Sequence, residues 1–297
     1  MRGPALLLAL CAGFGPVPLA ARQQPEPQAQ EGGQTIIVTG EREDSAAERR
    51  REASRFVDSH AVRTRIGQLA RWHEPICVRA GGLPLAMNAR IAIRVMAIAE
   101  RLGIPTNRAE LCRPNVRIAF TSEPQRMMAL AERRNSQVIG FHYAAQRDRI
   151  MAVRQPVQAW YVTTTRAGDG AGTIDQAGVR APGGNPGSRL TNGVSSGLAH
   201  VLILADTRHV AGEEADSIAE LVAFLALAQT PVAGTCDETD TILNLMNPAC
   251  PPARRPVALT QQDSAYLQAL YRMDAEAAPR MQRGSIVQNM TEALGGR

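Results

Sequence analysis

The chain has 297 residues, a net charge of +5 and 44% hydrophobic residues, which is enough for one large domain or two small ones. All of its basic residues are arginine, and the absence of lysine excludes a Walker-type phosphate loop, a Schiff-base enzyme and a Ser-Lys dyad. The positive charge is modest and spread along the chain, and aromatic residues make up only 4%, so we expect no nucleic-acid-binding surface.

The N-terminus predicts export. Met1-Arg2 precedes an apolar run, Ala5 to Ala12, that is far too short to cross a membrane. Prolines and small residues follow, and we interpret residues 1–21 as a cleaved signal peptide. A lipoprotein box ending at Cys11 is the alternative, although Leu10 is large for it. No later run approaches the roughly 20 apolar residues of a transmembrane helix, so we expect a periplasmic or secreted protein.

The cysteines agree with an oxidising compartment. Removal of Cys11 with the signal leaves four cysteines, which allow three pairings. Their order along the chain favours the disulfides Cys77–Cys112 and Cys236–Cys250. No Cys-x-x-Cys occurs, so neither a redox motif nor a zinc knuckle is expected.

Residues 22–54 are rich in Gln, Pro, Glu and Arg, and we interpret them as a disordered, charged leader that precedes a single domain at 55–297. A β-prone patch, Thr35 to Gly40, stands alone within this leader. Helical spacing begins at Asp44 and runs to Leu69, with the apolar positions expected in the core.

The sequence pattern of this domain predicts strands and helices that follow one another along the chain. Strands are expected at Pro75–Val78, Asn115–Phe120, Val157–Thr165 and His200–Asp206. Helices are expected at Asn88–Leu102, Gln125–Arg133, Glu213–Gln229, Leu259–Tyr271 and Gln282–Leu294. Thr260 and Asp263 form a predicted capping box at the start of the fourth of these helices.

Residues 167–196 predict a long flexible loop, because Gly, Pro, Asn and Ser dominate them. The glycine-rich run Gly168 to Gly172 is not followed by a helix that could present amides to a phosphate. Gly193 to Gly197 fits Gly-x-Ser-x-Gly around Ser195, but a nucleophile elbow needs a strand before the serine and a helix after it. Here a strand follows, and we therefore discount both motifs.

The segment from Glu213 to Gln229 is the clearest helix. Its apolar stripe repeats every three or four residues, and Thr230-Pro231 ends it. Within this helix, Ala219 to Ala223 has the form of the zinc motif His-Glu-x-x-His with both histidines replaced by alanine.

The order of elements resembles secreted bacterial zincin-like (metalloprotease-like) proteins of unknown function. The resemblance rests on loose motifs: Arg71-Trp72 with Pro75-Ile76, Asn115–Phe120, Val201–Asp206, the helix Ala215–Gln229, Ile242–Leu245, and Leu259 to Tyr271. It covers most of the chain from Phe56 to Leu294. It implies an α+β fold, a mixed β-sheet packed with helices, in which a central helix crosses the sheet.

Carried over residue by residue, the metal motif fails. The two histidine positions are Ala219 and Ala223, and the third ligand position is Gln229. Alanine has no donor atom, so the resemblance implies no zinc here. Glu220 matches the glutamate that serves as a base, but it has little to act on without a metal-bound water. The alternative is that Glu220 is an exposed or capped helix glutamate.

Histidines elsewhere show no metal-binding spacing: His60, His73, His142, His200 and His209. Only His200 and His209, which flank one predicted strand, could approach each other in space. We therefore predict a non-catalytic zincin-like (pseudo-protease) module without metal or cofactor, which binds an unknown protein or cell-envelope component through the former cleft or the 167–196 loop. The alternative is a hydrolase or peptidase with an unrecognised site near Glu220.

Overall fold

The structure, a computed structural model, describes residues 41–134, 144–167, 172–174, 187–188, 190–232 and 234–296. Its helices are α1 Glu41–His60, α2 Leu85–Arg101, α3 Pro124–Arg134, α4 Ala144–Met151, α5 Thr207–Val210, α6 Ala215–Leu227, α7 Gln261–Arg272 and α8 Pro279–Gly295. Its strands are β1 Val78–Gly81, β2 Val116–Thr121, β3 Val157–Ala167, β4 Gly172–Ile174 and β5 Val194–Asp206. The predicted class, α+β with a mixed sheet, is confirmed.

The five strands form one sheet in the order β1-β2-β5-β3-β4. The first three strands in this order are parallel, whereas β3 is antiparallel to both β5 and β4. The carboxyl ends of β2 and β5 therefore lie side by side, together with the start of β3. Between β1 and α2 the chain turns at Gly82, which has φ +97°, and a Cβ there would collide with the carbonyl oxygen of Phe120.

Side chains of the central strand alternate between two cores, as the two-residue period of a strand requires. Val201, Ile203 and Ala205 of β5 face the main core, to which α1, α2, α6, α7 and α8 contribute. Leu202 and Leu204 face a smaller core with Trp160 and Met128, against α3 and α4. The sheet is thus the middle of three layers.

Helix α6 is the most deeply buried element. Every residue from Ser217 to Leu227 is buried, and most of them are apolar, as expected of a helix enclosed in a core. Two ion pairs connect it to α2: Arg90 to Asp216 and Arg94 to Glu220. Both pairs step by four residues in the same direction, which means that the two helices run parallel.

Both predicted disulfides are present. Cys77 joins Cys112 and Cys236 joins Cys250, closing loops with separations of 35 and 14 residues. Loop closure of this length stabilises the folded chain by about 3–4 kcal/mol for each bridge in the chain-entropy description. The predicted capping box at Thr260 and Asp263 is also formed, with both reciprocal hydrogen bonds.

Several predicted boundaries are wrong. Helix α1 begins at Glu41, inside the segment assigned to a disordered leader, because Ala53, Phe56 and Val57 pack into the main core. It ends at His60, not at Leu69. The first strand begins at Val78, where the predicted strand ended, since Cys77 is held by the disulfide and by its amide, which donates to Oδ1 of Asn115.

The predicted loop at 167–196 is also shorter than expected. Gly172–Ile174 is strand β4, paired with Thr164 to Arg166, and Val194–Ser196 begins β5. Pairing with β3 overrides the weak strand propensity of these residues. The predictions of the signal peptide, the Thr35–Gly40 patch and most of this loop concern segments outside the described residues.

Candidate functional site

Glu220, the glutamate of the degenerate zinc motif, is a buried structural residue. It is 4% exposed, which corrects the alternative of an exposed helix glutamate. Its Oε1 accepts a bond from Nε of Arg94 at 2.7 Å, and Nη2 of Arg94 contacts the same oxygen. Its Oε2 accepts a bond from the amide of Leu259 at 3.2 Å. The carboxylate therefore fastens α6 to α2 and to the segment before α7.

None of the three positions matched to zinc ligands carries a His, Cys or carboxylate side chain. Ala219 and Ala223 are fully buried in the main core. Gln229 follows the helix, and its Oε1 is buried without a hydrogen-bond partner. In the part of the chain that the structure describes, no group of three His, Cys, Asp or Glu side chains could hold a metal ion.

A cleft does run beside α6, but on a different face of the helix. Leu221 and Leu225, one helical turn apart, form its floor. We call it the apolar cleft, and its remaining lining comes from the start of β3, the segment after α6 and the loop between Cys236 and Cys250: Gln155, Val157, Gln158, Ala159, Thr230, Pro231, Val232, Leu243, Met246 and Asn247. None of these twelve side chains is ionisable. The cavity volume is about 40 Å³.

Strand β3 borders this cleft with one edge. Asp206 donates its amide to the carbonyl of Pro156, which fixes the alternation of hydrogen bonds between β5 and β3. In this register, Gln158, Trp160 and Val162 bond to β5, whereas the amides and carbonyls of Val157, Ala159 and Tyr161 point to the outer edge. No strand among the described residues pairs with that edge before Thr164, where β4 begins.

Rigid contacts hold the walls of the apolar cleft. The hydroxyl of Tyr161 lies 3.2 Å from that of Thr230, linking β3 to the segment after α6. Asp263, fully buried, accepts the hydroxyl of Thr241 at 2.8 Å and the amide of Ile242 at 2.7 Å. These bonds fix the chain immediately before Leu243, so the lining is set by the fold.

The histidines are dispersed over the fold, and each makes different contacts. His60 is buried, with Nδ1 bonded to the carbonyl of Phe56 and Nε2 3.4 Å from Asp237. His73 bonds the carbonyl of Ser196, and burial lowers its pKa. His142 lies outside the described residues. His200 sits within β5 with neither ring nitrogen bonded, and burial lowers its pKa to about 4.

His209 is separated from His200 by the rest of β5, roughly 20 Å at strand spacing, so the structure does not bring these two histidines together. It pairs instead with Asp206, Nδ1 to Oδ2 at 3.3 Å. Arg208 bonds the same carboxylate with its side chain at 2.6 and 3.0 Å and with its amide at 3.0 Å. These bonds lower the pKa of Asp206 to about 2, so it is ionised at neutral pH.

The discounted serine motif is a strand segment. Ser195 is 7% exposed in β5, opposite Arg166 of β3, and no helix follows it. Its neighbour Ser196 bonds the hydroxyl of Thr64 at 2.6 Å. Of the glycine-rich run, only Gly172 lies within the described residues, where it begins β4.

Sequence reasoning missed the partner of Glu220 and the position of the cleft. Arg90 and Arg94 share the four-residue spacing of Asp216 and Glu220, a signal that could have paired the two helices. Leu221 and Leu225 belong to the apolar stripe of the helix, and periodicity assigns such a stripe to the core. The periodicity carries no information about the segments that border the stripe in the folded chain.

In comparisons with known proteins, no family model, no curated protein and no solved structure matches this chain. None of the described helices combines the length and the apolar character that a membrane-crossing helix needs.

Proposed function

We propose that this protein is a non-catalytic binding module that holds an extended segment of another protein along the apolar cleft. The observation that carries the proposal is the combination of a hydrogen-bonding strand edge with a floor that has no ionisable group. Main-chain bonds to Val157, Ala159 and Tyr161 would supply affinity, as in strand addition to a sheet edge. Side chains of the ligand would dock on Leu221 and Leu225.

The size of the cleft selects the ligand class. Pockets that bind drug-sized molecules or cofactors typically enclose about 300–1,000 Å³. The apolar cleft offers about 40 Å³, which is room for one or two small apolar groups. A peptide that takes its main affinity from the strand edge needs no more than this.

The contacts of Glu220 support binding over hydrolysis. A general base must reach the proton that it abstracts, directly or through one water. The carboxylate of Glu220 is occupied by Arg94 and by the amide of Leu259, and it lies on the buried side of α6. The hydrolase alternative near Glu220 would require these structural bonds to break.

We place the module in the periplasm or the extracellular space, with a zincin-like scaffold that has lost its metal. Two disulfides are compatible with an extracytoplasmic compartment. The signal-peptide reading of residues 1–21 and the resemblance of the element order add to this proposal. Purification without chelator should yield less than stoichiometric zinc, and one zinc per chain would contradict the proposal.

Binding can be tested by selecting peptides from a random library displayed with free C-termini. Val232 lines the cleft and is 46% exposed, so Val232→Asp should leave the fold intact while placing a charge at the apolar wall. We expect this variant to weaken binding of the selected peptide at least about tenfold, or about 1.4 kcal/mol.

The matched control is Val257→Asp. Val257 is 67% exposed and lies outside the cleft lining, so the same change in charge should leave affinity unaltered. Equal loss in both variants would point to a nonspecific charge effect. Failure to select any peptide would contradict the proposed function itself.

A further inference from the structure

A second cleft opens at the carboxyl ends of β2 and β5, and nothing in the binding module described so far uses it. Its volume is about 570 Å³. Loops beyond the carboxyl ends of parallel strands are where α/β sheets commonly bind ligands. We call it the arginine cleft, and its described lining is Ser122, Glu123, Pro124, Gln125, Arg126, Val153, Arg154, Gln155, Pro156, Asp206, Arg208, His209 and Pro248.

The charges of this lining favour an anion. Glu123 is paired with Arg126 at 3.0 Å, and Asp206 is paired with Arg208 at 2.6 Å. Arg154 also lines the cleft, is exposed, and forms no ion pair with any described residue. Its guanidinium therefore offers a free planar fork that matches a carboxylate in geometry. Helix α3 also begins here, with no acidic residue of its own in the first turn.

The two clefts are neighbours, and the direction of β3 relates them. Gln155 lines both clefts, and Pro156 of the arginine cleft immediately precedes Val157 of the apolar cleft. Strand β3 runs from Val157 away from the arginine cleft. A ligand strand antiparallel to β3 would thus end with its C-terminus beside the arginine cleft, whereas a parallel one would present its positively charged N-terminus to the arginines.

We propose that the arginine cleft binds the free C-terminal carboxylate of the peptide, which pairs antiparallel to β3, with Arg154 as the residue that contacts the carboxylate. This inference rests on the proposed function and adds the class of ligand: protein segments that end at the site. Capture of a terminal carboxylate is a recurring means of peptide recognition. Arg154 selects the antiparallel direction of the ligand strand, and the apolar cleft selects the side chains that the ligand carries.

The test compares the selected peptide as a free acid and as a C-terminal amide. Amidation removes the negative charge and leaves every side chain and all other main-chain groups in place. We expect the amide to bind at least about tenfold more weakly to the wild-type chain. In Arg154→Ala, the free acid should weaken to the same extent, and the difference between acid and amide should disappear.

Arg113→Ala is the matched control. Arg113 is exposed and lies at the amino end of β2, the opposite end of the strand from the arginine cleft. It should preserve both the affinity and the acid–amide difference. Arg154 holds its loop through its backbone amide, which bonds Oε1 of Gln158 at 2.8 Å, so truncation of the side chain should not unfold the chain.

The outcomes separate the two proposals. Equal affinity of acid and amide, with loss of binding in Val232→Asp, would overturn the carboxylate inference and leave the proposed function standing. A difference between acid and amide that persists unchanged in Arg154→Ala would also overturn the role of the arginine cleft. If the library yields no bound peptide, the proposed function fails, and the inference fails with it.

Discussion

The two clefts differ in how the fold makes them. The apolar cleft is a small gap at the border of the main core, lined by the start of β3 and by Leu221 and Leu225 of α6, which are themselves buried. The arginine cleft lies beyond the strand ends, where loops carry exposed charges over the sheet. One is about 40 Å³ without an ionisable side chain, and the other about 570 Å³ with three arginines and two carboxylates among its described lining.

This difference separates buried carboxylates that hold the fold together from the exposed charge of Arg154 in the arginine cleft. Glu220 and Asp263 lie in the core, and each is fully engaged by donors that hold separate segments together. Arg154 is exposed, its side chain forms no ion pair with a described residue, and it can be changed at little cost. Variants of the first kind should lose stability, and variants of the second kind should lose only binding.

The largest loss of stability is expected for Asp263→Ala. The change removes a fully buried acceptor and leaves the amides of Ile242 and Thr260 and the hydroxyl of Thr241 unsatisfied. We expect the free energy of unfolding to fall by about 3–4 kcal/mol in urea titrations. Asp274→Ala, which removes an exposed carboxylate that accepts a bond from the amide of Glu276, should cost less than about 1 kcal/mol. Similar losses in the two variants would refute the buried role of Asp263.

A smaller loss is expected for Glu220→Ala. It leaves the amide of Leu259 without its acceptor, while the freed guanidinium of Arg94, with its side chain 43% exposed, regains water. We expect about 2 kcal/mol less stability. The control is Asp216→Ala, which removes the neighbouring ion pair between α6 and α2; this side chain is 53% exposed, so its loss should reduce stability clearly less than Glu220→Ala. If Glu220→Ala were as stable as Asp216→Ala, the bonds of Glu220 would not stabilise the fold, and its structural role would be contradicted.

His200 makes stability depend on pH. Burial lowers its pKa to about 4, below the value of about 6.5 in the unfolded chain, so the unfolded state binds the proton first. Its neutral form therefore supports the fold fully above pH 6.5, and this contribution is lost as pH falls towards 4. We expect about 2 kcal/mol of acid destabilisation over that range, after allowing for partial exposure of the ring.

The variant His200→Gln should flatten the dependence of unfolding free energy on pH between 6.5 and 4. The wild-type chain provides the comparison, because its unfolding free energy should fall over this pH range as His200 takes up a proton in the unfolded state. An unchanged slope in His200→Gln would show that another group carries the acid sensitivity.

Elements with a strong local pattern could be predicted from the sequence. Helix α6 was placed within two residues at each end, because its apolar stripe and Pro231 mark it independently of the fold. The capping box at Thr260 depends on residues three apart, and both disulfides follow the order of the cysteines. The end of α1 was misplaced, because apolar residues beyond His60, such as Leu69, enter the same core from a loop.

The candidate site could not be predicted in the same way. Its walls come from β3, α6 and the segment from Thr230 to Asn247, which meet only in the folded chain. The degenerate zinc motif points to Ala219 and Ala223, which lie in the core. The cleft is bordered instead by Leu221 and Leu225. Apolar side chains at helical spacing give the same sequence pattern whether they lie in the core or beside a cleft.

The most direct test is amide hydrogen exchange of the chain with and without the selected peptide. The amides of Val157, Ala159 and Tyr161 point to the outer edge of β3 and should gain protection when the peptide adds a strand there. Gln158, Trp160 and Val162 already bond to β5 and should change little. Protection confined to the three outward amides is the predicted result, and binding that leaves them unprotected would contradict strand addition at this edge.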